Sequence, residues 1–215
     1  VVICLSDNDL LIHLAAWNLL SEFQALLQDK FSITASDIYV LDSFVRQLQT
    51  NKKWESQYGQ NVLGRAERFC TSLPRVYSLP YDRPTVIALS EVDDIDEGEA
   101  VLIAVALQHP DSMILTNELR FLGALASGDP VCVPYCAALQ GRILHLRQIV
   151  EELLEQKGFR HLESCIKPRS NSDTRIFRAF QGSADAARSA MREAVREVER
   201  LGPGLLIPLR EDTWS

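Results

Sequence analysis

The chain opens on a continuous apolar, β-branched run, "VVICL", that stops at "SDND". Such a run predicts a strand buried on both faces. Helical apolar spacing follows over residues 10–28, with a break expected near Trp17 and Asn18. "FSIT" reads as a short second strand, and "ASDIYVLDSFVRQLQ" as a helix capped by Ser36 or Asp37. Residues 54–72 are a weaker helical stretch containing Gly59 and Gly64, and "RVYSLPYDRP" reads as a loop. "TVIALSEV" fits either a strand or the start of a helix. Residues 97–108 are apolar on every side and predict a buried helix. "SMILT" then predicts a strand, "NELRFLGALA" a helix, and "VCVP", after a Gly-Asp-Pro turn, another strand. "AALQGRILHLRQIVEELLEQKG" predicts a long helix with Gly158 as its C-cap.

Strands alternating with helices imply parallel βαβ units joined by right-handed crossovers. The fold expected for residues 1–150 is therefore a three-layer α/β/α sandwich with a mainly parallel sheet. Residues 151–215 read as a C-terminal helical extension. It comprises a polar loop "ESCIKPRSNSDTR", an amphipathic helix "ADAARSAMREAVREVERLG" ended by Gly202, and an apolar tail "LLIPL". That tail suits pairing with an edge strand or docking on a helix. No internal repeat or low-complexity tract is present.

Composition narrows the class. With 215 residues, 47% hydrophobic and 24% charged, the chain can bury the core of one domain, with or without an appendage. No apolar run approaches the ~20 residues of a membrane-spanning helix, so no membrane partner is expected. The opening "VVICLSDND" has no initiating Met and no signal-peptide pattern. The five cysteines are odd in number and scattered, and Cys132 and Cys136 lack the second pair of a zinc site. Reduced thiols and a cytoplasmic location are the expectation. The four histidines show no metal spacing and read as structural or surface residues.

The net charge of −7 arises entirely in residues 1–150, where 18 Asp/Glu face 11 Lys/Arg; residues 151–215 hold 11 of each. That balance argues against a protein that coats nucleic acid through a basic surface. It leaves room for an enzyme that gathers carboxylates around cations.

In a doubly wound sheet, chemistry sits beyond the carboxyl ends of the strands. Asp7 and Asp9 directly follow the first strand, Thr116, Asn117 and Glu118 close "SMILT", and Glu99 opens the buried helix. Carboxylates forced together raise one another's pKa unless a cation neutralises them. Oxygen donors of this kind suit Mg²⁺ or Mn²⁺, which activate water and offset charge on a phosphodiester's leaving oxygen. Each acid also has a local explanation. Asp96 and Glu99 form the D-x-x-E of a capping box, Asp7 can be an N-cap, Glu118 a first-turn acid, and Asp42 a partner of Arg46.

"CLSDNDLLIHLA" resembles the opening of PIN-domain nucleases, in which a strand ends in Asp and leads into a D-x-N-x-L-I-type helix start. Asp7 falls on the Asp and Asp9 on the Asn. "IDEGEAVLIAVALQHPDSMILTNELRFLGALA" is similar to that family's second block, a G-E-A helix, a strand, then T-D-D. Glu99 falls on the acid of G-E-A, Asn117 on the first Asp after Thr116, and Glu118 on the second. The resemblance covers roughly residues 1–150. It implies a PIN-like, metal-dependent ribonuclease, often the toxin of a toxin–antitoxin pair, with Mg²⁺ or Mn²⁺ as cofactor. Expected ligands are Asp7, Glu99 and Glu118, with Asp42 as a weaker candidate and Asp9, Asp96, Thr116 and Asn117 in support. Expected partners are an RNA substrate, an antitoxin or other protein, and a second copy in a homodimer.

Three departures stand out. Asn117 replaces a carboxylate of the family pattern. The acid on the second helix, usually a Glu, has only Asp37 or Asp42 to fill it, and Asp37 suits a cap better. Residues 151–215 have no counterpart in the pattern. The alternative is a PIN-like scaffold that has lost its chemistry and binds a protein or RNA. Finally, Arg188, Arg192, Arg196 and Arg200 recur every four residues, but acids three positions before Arg188, Arg196 and Arg200 favour a solvent face laced with ion pairs over an RNA track. "KPRSNSDTRIFRAF" mixes basic and aromatic residues and reads as a surface loop entering a helix, with single-strand binding as the alternative.

Overall fold

The computed structural model describes residues 2–169 and 173–209. Among them, β1 (Cys4–Ser6), β2 (Ile38–Val40), β3 (Met113–Thr116) and β4 (Ile143–His145) form one all-parallel sheet in the order β2-β1-β3-β4. β1, β3 and β4 are buried at every residue, as strands covered on both faces must be. The chain moves outward from β1 to β2, then crosses back to β3 on the opposite side of β1. With right-handed crossovers, this reversal places helices on both faces and opens a crevice at the carboxyl ends of β1 and β3.

β1 leads into α1 (Asn8–Ala16) and α2 (Leu20–Phe31), separated at Asn18, whose φ of 58° breaks the helix where the apolar spacing predicts a break. Between β2 and β3 run α3 (Asp42–Thr50), α4 (Lys52–Tyr58), α5 (Gln60–Thr71), α6 (Arg83–Ser90) and α7 (Glu97–Gln108). α8 (Leu119–Leu125) and α9 (Val133–Ala138) connect β3 to β4. α10 (Leu146–Lys157), α11 (Phe159–Ile166), α12 (Thr174–Ala179) and α13 (Ala184–Leu201) complete the described chain. No helix among the described residues is long and apolar enough to cross a membrane. All five cysteines are free thiols.

α7 is the central helix. Every residue from Glu99 to Ala106 is buried, and the helix packs on β1 and β3. Its carboxyl end is closed by Arg142, whose guanidinium donates to Ala106 O and His109 O at 2.7 Å each and to Ser112 Oγ at 2.9 Å. These bonds satisfy carbonyls that a helix end leaves open.

The extension is bound to this body. α13 packs on α10 and α8, Arg147 donates to Glu197 at 2.7 Å, and Gln148 Nε2 donates to Ile207 O at 2.8 Å. The apolar tail pairs with the edge strand, since Leu206 bridges Ile143 in parallel.

Two strands lie elsewhere than the pattern predicts. "FSIT" is not a strand, because Phe31 ends α2 and Ser32 adopts a left-handed C-cap at φ 57°. The strand is "IYV", inside the predicted helix, where β-branched and aromatic residues fit a half-covered edge. A 3₁₀ turn at Ala35–Asp37 precedes it, capped between Thr34 and Asp37. "VCVP" is likewise not a strand. Pro134 sits in the first turn of α9, where its missing N–H is no loss, and β4 is the "ILH" segment instead. "TVIALSEV" is helical as far as Ser90. In the predicted polar loop, Glu163–Ile166 finish α11, while residues 170–172 lie outside the described residues.

Candidate carboxylate site at the switch point

The acids of β1 and β3 meet because the two strands are hydrogen-bonded neighbours. Beyond β1, Asp7 N–H donates to Leu115 O at 2.9 Å, fixing the Asp7 backbone against β3. Its carboxylate accepts from Asn8 N–H at 2.5 Å and from the Thr116 hydroxyl at 3.4 Å. The Thr116 hydroxyl also accepts from Glu118 N–H at 3.0 Å, so one buried side chain links both strand ends. α7 brings the third acid. Glu99 is buried at 6% exposure, and its carboxylate accepts from Asp96 N–H while Asp96 accepts from Glu99 N–H, both at 2.8 Å. The capping box read in the sequence is therefore formed.

Electrostatics marks Asp7, Asp9 and Glu99 off from the other acids. Burial, then Asp9, Asp96 and Glu118, raise Asp7 to about 7, against the opposing hydrogen bond from Asn8. Burial also raises Glu99 to about 8, with Asp96, Asp7 and Glu118 adding to it and the Asp96 N–H opposing. Burial and like charge act in the same direction on both. Asp94, Ile95, Asp96, Glu99, Glu118 and Arg120 line a cleft of about 310 Å³. Within it, Glu118 caps α8 and accepts from Arg120 Nε at 3.2 Å.

Asp7, Asp9, Asp96, Glu99, Thr116, Asn117 and Glu118 thus fall in one region, whereas Asp42 does not join them. Asp42 opens α3 at the end of β2 and faces Arg75 Nε at 3.8 Å, rather than Arg46. Among the described residues, no group of three or more His, Cys, Asp or Glu side chains is placed to hold a metal ion. Glu99 accepts from its own helix end and Glu118 from Arg120. The donor chemistry does suit a hard cation. The buried Oδ1 atoms of Asn8 and Asn117 have no hydrogen-bond partner, leaving two oxygen donors unsatisfied beside Asp7 and Glu118. Asn8 was missed by sequence reasoning, although it stands between two acids in "SDND".

The remaining candidates take structural roles. His145, fully buried, accepts from Arg147 N–H at 3.1 Å as the cap of α10, and burial with the Arg147 charge lowers it to about 3. His13 stacks on Trp17 at 5.6 Å, and His161 meets Glu22 at 3.2 Å. On α13, Arg188 faces Asp185 and Glu155, Arg192 faces Glu155, and Arg196 and Arg200 face Glu193. These contacts form an ion-paired face.

No protein-family model, no curated protein and no solved structure matches the chain.

Proposed function

We propose that the carboxylates at the switch point bind Mg²⁺ or Mn²⁺ and that the protein is a PIN-like ribonuclease hydrolysing RNA phosphodiester bonds. The observation that carries this reading is the elevation of both Asp7 and Glu99 by burial and by neighbouring acids at the carboxyl edge of the sheet. Acids that served only as caps would gain nothing from standing close enough to disfavour one another's charge. Asp7, Glu99 and Glu118 would hold the cation, with the amide oxygens of Asn8 and Asn117 beside them. When bound, such a cation activates water and offsets charge on the leaving oxygen. The chain's own part is to position Asp7 through Thr116, to release Glu99 from Asp96 and Glu118 from Arg120, and to present Arg120 to a phosphate. A cytoplasmic toxin–antitoxin role and a homodimer belong to the same reading.

A second reading has its own support. The absence of a three-acid group among the described residues, with Glu99 and Glu118 already engaged, favours a scaffold that binds a protein or RNA without cleaving it. The two separate in one assay, cleavage of labelled single-stranded RNA with Mn²⁺ by the wild type and by Asp7→Asn. The ribonuclease reading predicts cleavage that Asp7→Asn abolishes while its thermal unfolding remains cooperative. Cleavage that survives the substitution would remove Asp7 from the mechanism.

A further inference from the structure

Arg120, the second residue of α8, folds back onto the residue that caps the helix. Glu118 Oε1 accepts twice from it, from the backbone N–H at 3.1 Å and from Nε at 3.2 Å. The guanidinium also reaches the opposite wall of the cleft. Its Nη1 lies 3.8 Å from Asp94 Oδ1, on the turn that leads into α7. That turn is held in place, because Ile95 is buried and its N–H donates to Val92 O at 3.2 Å. One side chain therefore ties the start of α8 to the approach to α7.

The setting gives this contact its meaning. Among the described residues that line the cleft, Asp94, Asp96, Glu99 and Glu118 are acids and Arg120 is the only cation. The hydrogen bond to Glu118, then the charges of Glu118 and Asp94, hold Arg120 above the usual arginine range. Its side chain is nevertheless 72% exposed, so water screens both ion pairs and little opposes their exchange. A buried pair would fix the acids in place, whereas a screened one offsets their charge and can be given up. A divalent cation held by Glu118 would stand close to this guanidinium, where like charges repel. Cation and guanidinium therefore compete for the same carboxylate.

We infer that Arg120 is the built-in countercharge of the cleft, occupying Glu118 and Asp94 until a divalent cation displaces it, and that it thereby sets the cation affinity of the site. The inference rests on the cation reading of the cleft. It adds that the chain itself partly neutralises the resting site, and that metal entry requires the guanidinium to leave Glu118.

The test is calorimetric titration of Mn²⁺ into the wild type, Arg120→Gln, Arg120→Lys and Lys167→Gln. Arg120→Gln is expected to bind Mn²⁺ about fivefold more tightly, the scale of a solvent-exposed ion pair. Arg120→Lys keeps the charge and is expected to stay within about twofold of the wild type. Lys167→Gln removes the same charge from α11, where Lys167 faces Glu163 at 3.2 Å, and is also expected within about twofold. Three results would overturn the countercharge while the cation site stands. They are binding by Arg120→Gln no tighter than by the wild type, equal tightening in Arg120→Lys, and equal tightening in Lys167→Gln. Absence of saturable binding in both the wild type and Arg120→Gln would instead overturn the cation reading, and the countercharge with it.

Discussion

Two acidic regions of this chain behave in opposite ways. On α13, Glu193 lies against Arg196 and Arg200, and Glu197 reaches Arg147 and Arg175. At the switch point, Asp7 and Glu99 are instead raised by burial and by neighbouring carboxylates, with Arg120 at the rim engaged by Glu118. The first arrangement lowers electrostatic energy within the folded chain. The second raises it, an arrangement that functional sites commonly show. The contrast teaches that placement beside a countercharge, not acidity of composition, decides whether an acid is relieved within the folded chain.

The sharpest way to break this contrast is to neutralise one acid in each region. Glu99→Gln is expected to lower Mn²⁺-dependent RNA cleavage at least about a hundredfold, ~2.7 kcal/mol of transition-state stabilisation. Glu193→Gln is expected to leave cleavage unchanged, and equal losses would erase the distinction. Stability should respond in the reverse sense. Glu197→Ala leaves the guanidinium of Arg147, which is 5% exposed, without its carboxylate and with the Ala194 carbonyl still accepting from it, and is expected to cost about 2 kcal/mol in urea unfolding. A loss below about 0.5 kcal/mol would show that solvent already screens that pair.

The effect of pH is more gradual. Asp7 and Glu99 titrate near 7 and 8 in the folded chain, against roughly 4 for both when unfolded. The folded state therefore binds more protons between those values. In EDTA, stability should fall as pH rises from about 4 to about 8, by at most about 1.4 kcal/mol per pH unit per group. Glu99→Gln should make that decline shallower. Unfolding curves showing stability rising over this interval would contradict the assignment.

Much of this was legible in the chain, where patterns were long or chemically specific. The all-apolar α7, the D-x-x-E box at its start, the break at Asn18 and the amphipathic α13 were all read at or near their observed limits. β2 and β4 were not, because each spans three residues, too few for a period-2 signal to outweigh neighbouring helical patterns. The misplacement mattered for Asp42. Read within a longer helix, it stood as a weaker ligand candidate or a partner of Arg46, whereas it opens α3 beside Arg75 at the sheet's edge. Convergence of Asp7 and Glu118 depends on β1 and β3 being neighbours, a long-range pairing that no local spacing encodes. The engagement of Glu118 by Arg120 was equally out of reach, since it depends on a side-chain rotamer.

The central claim is tested most directly by calorimetric titration of Mn²⁺ into the purified protein and into an Asp7→Asn/Glu99→Gln double mutant. A cation site at the switch point predicts saturable binding by the wild type that is lost in the mutant. Equal, weak heats from both proteins would contradict it and leave these acids as helix caps.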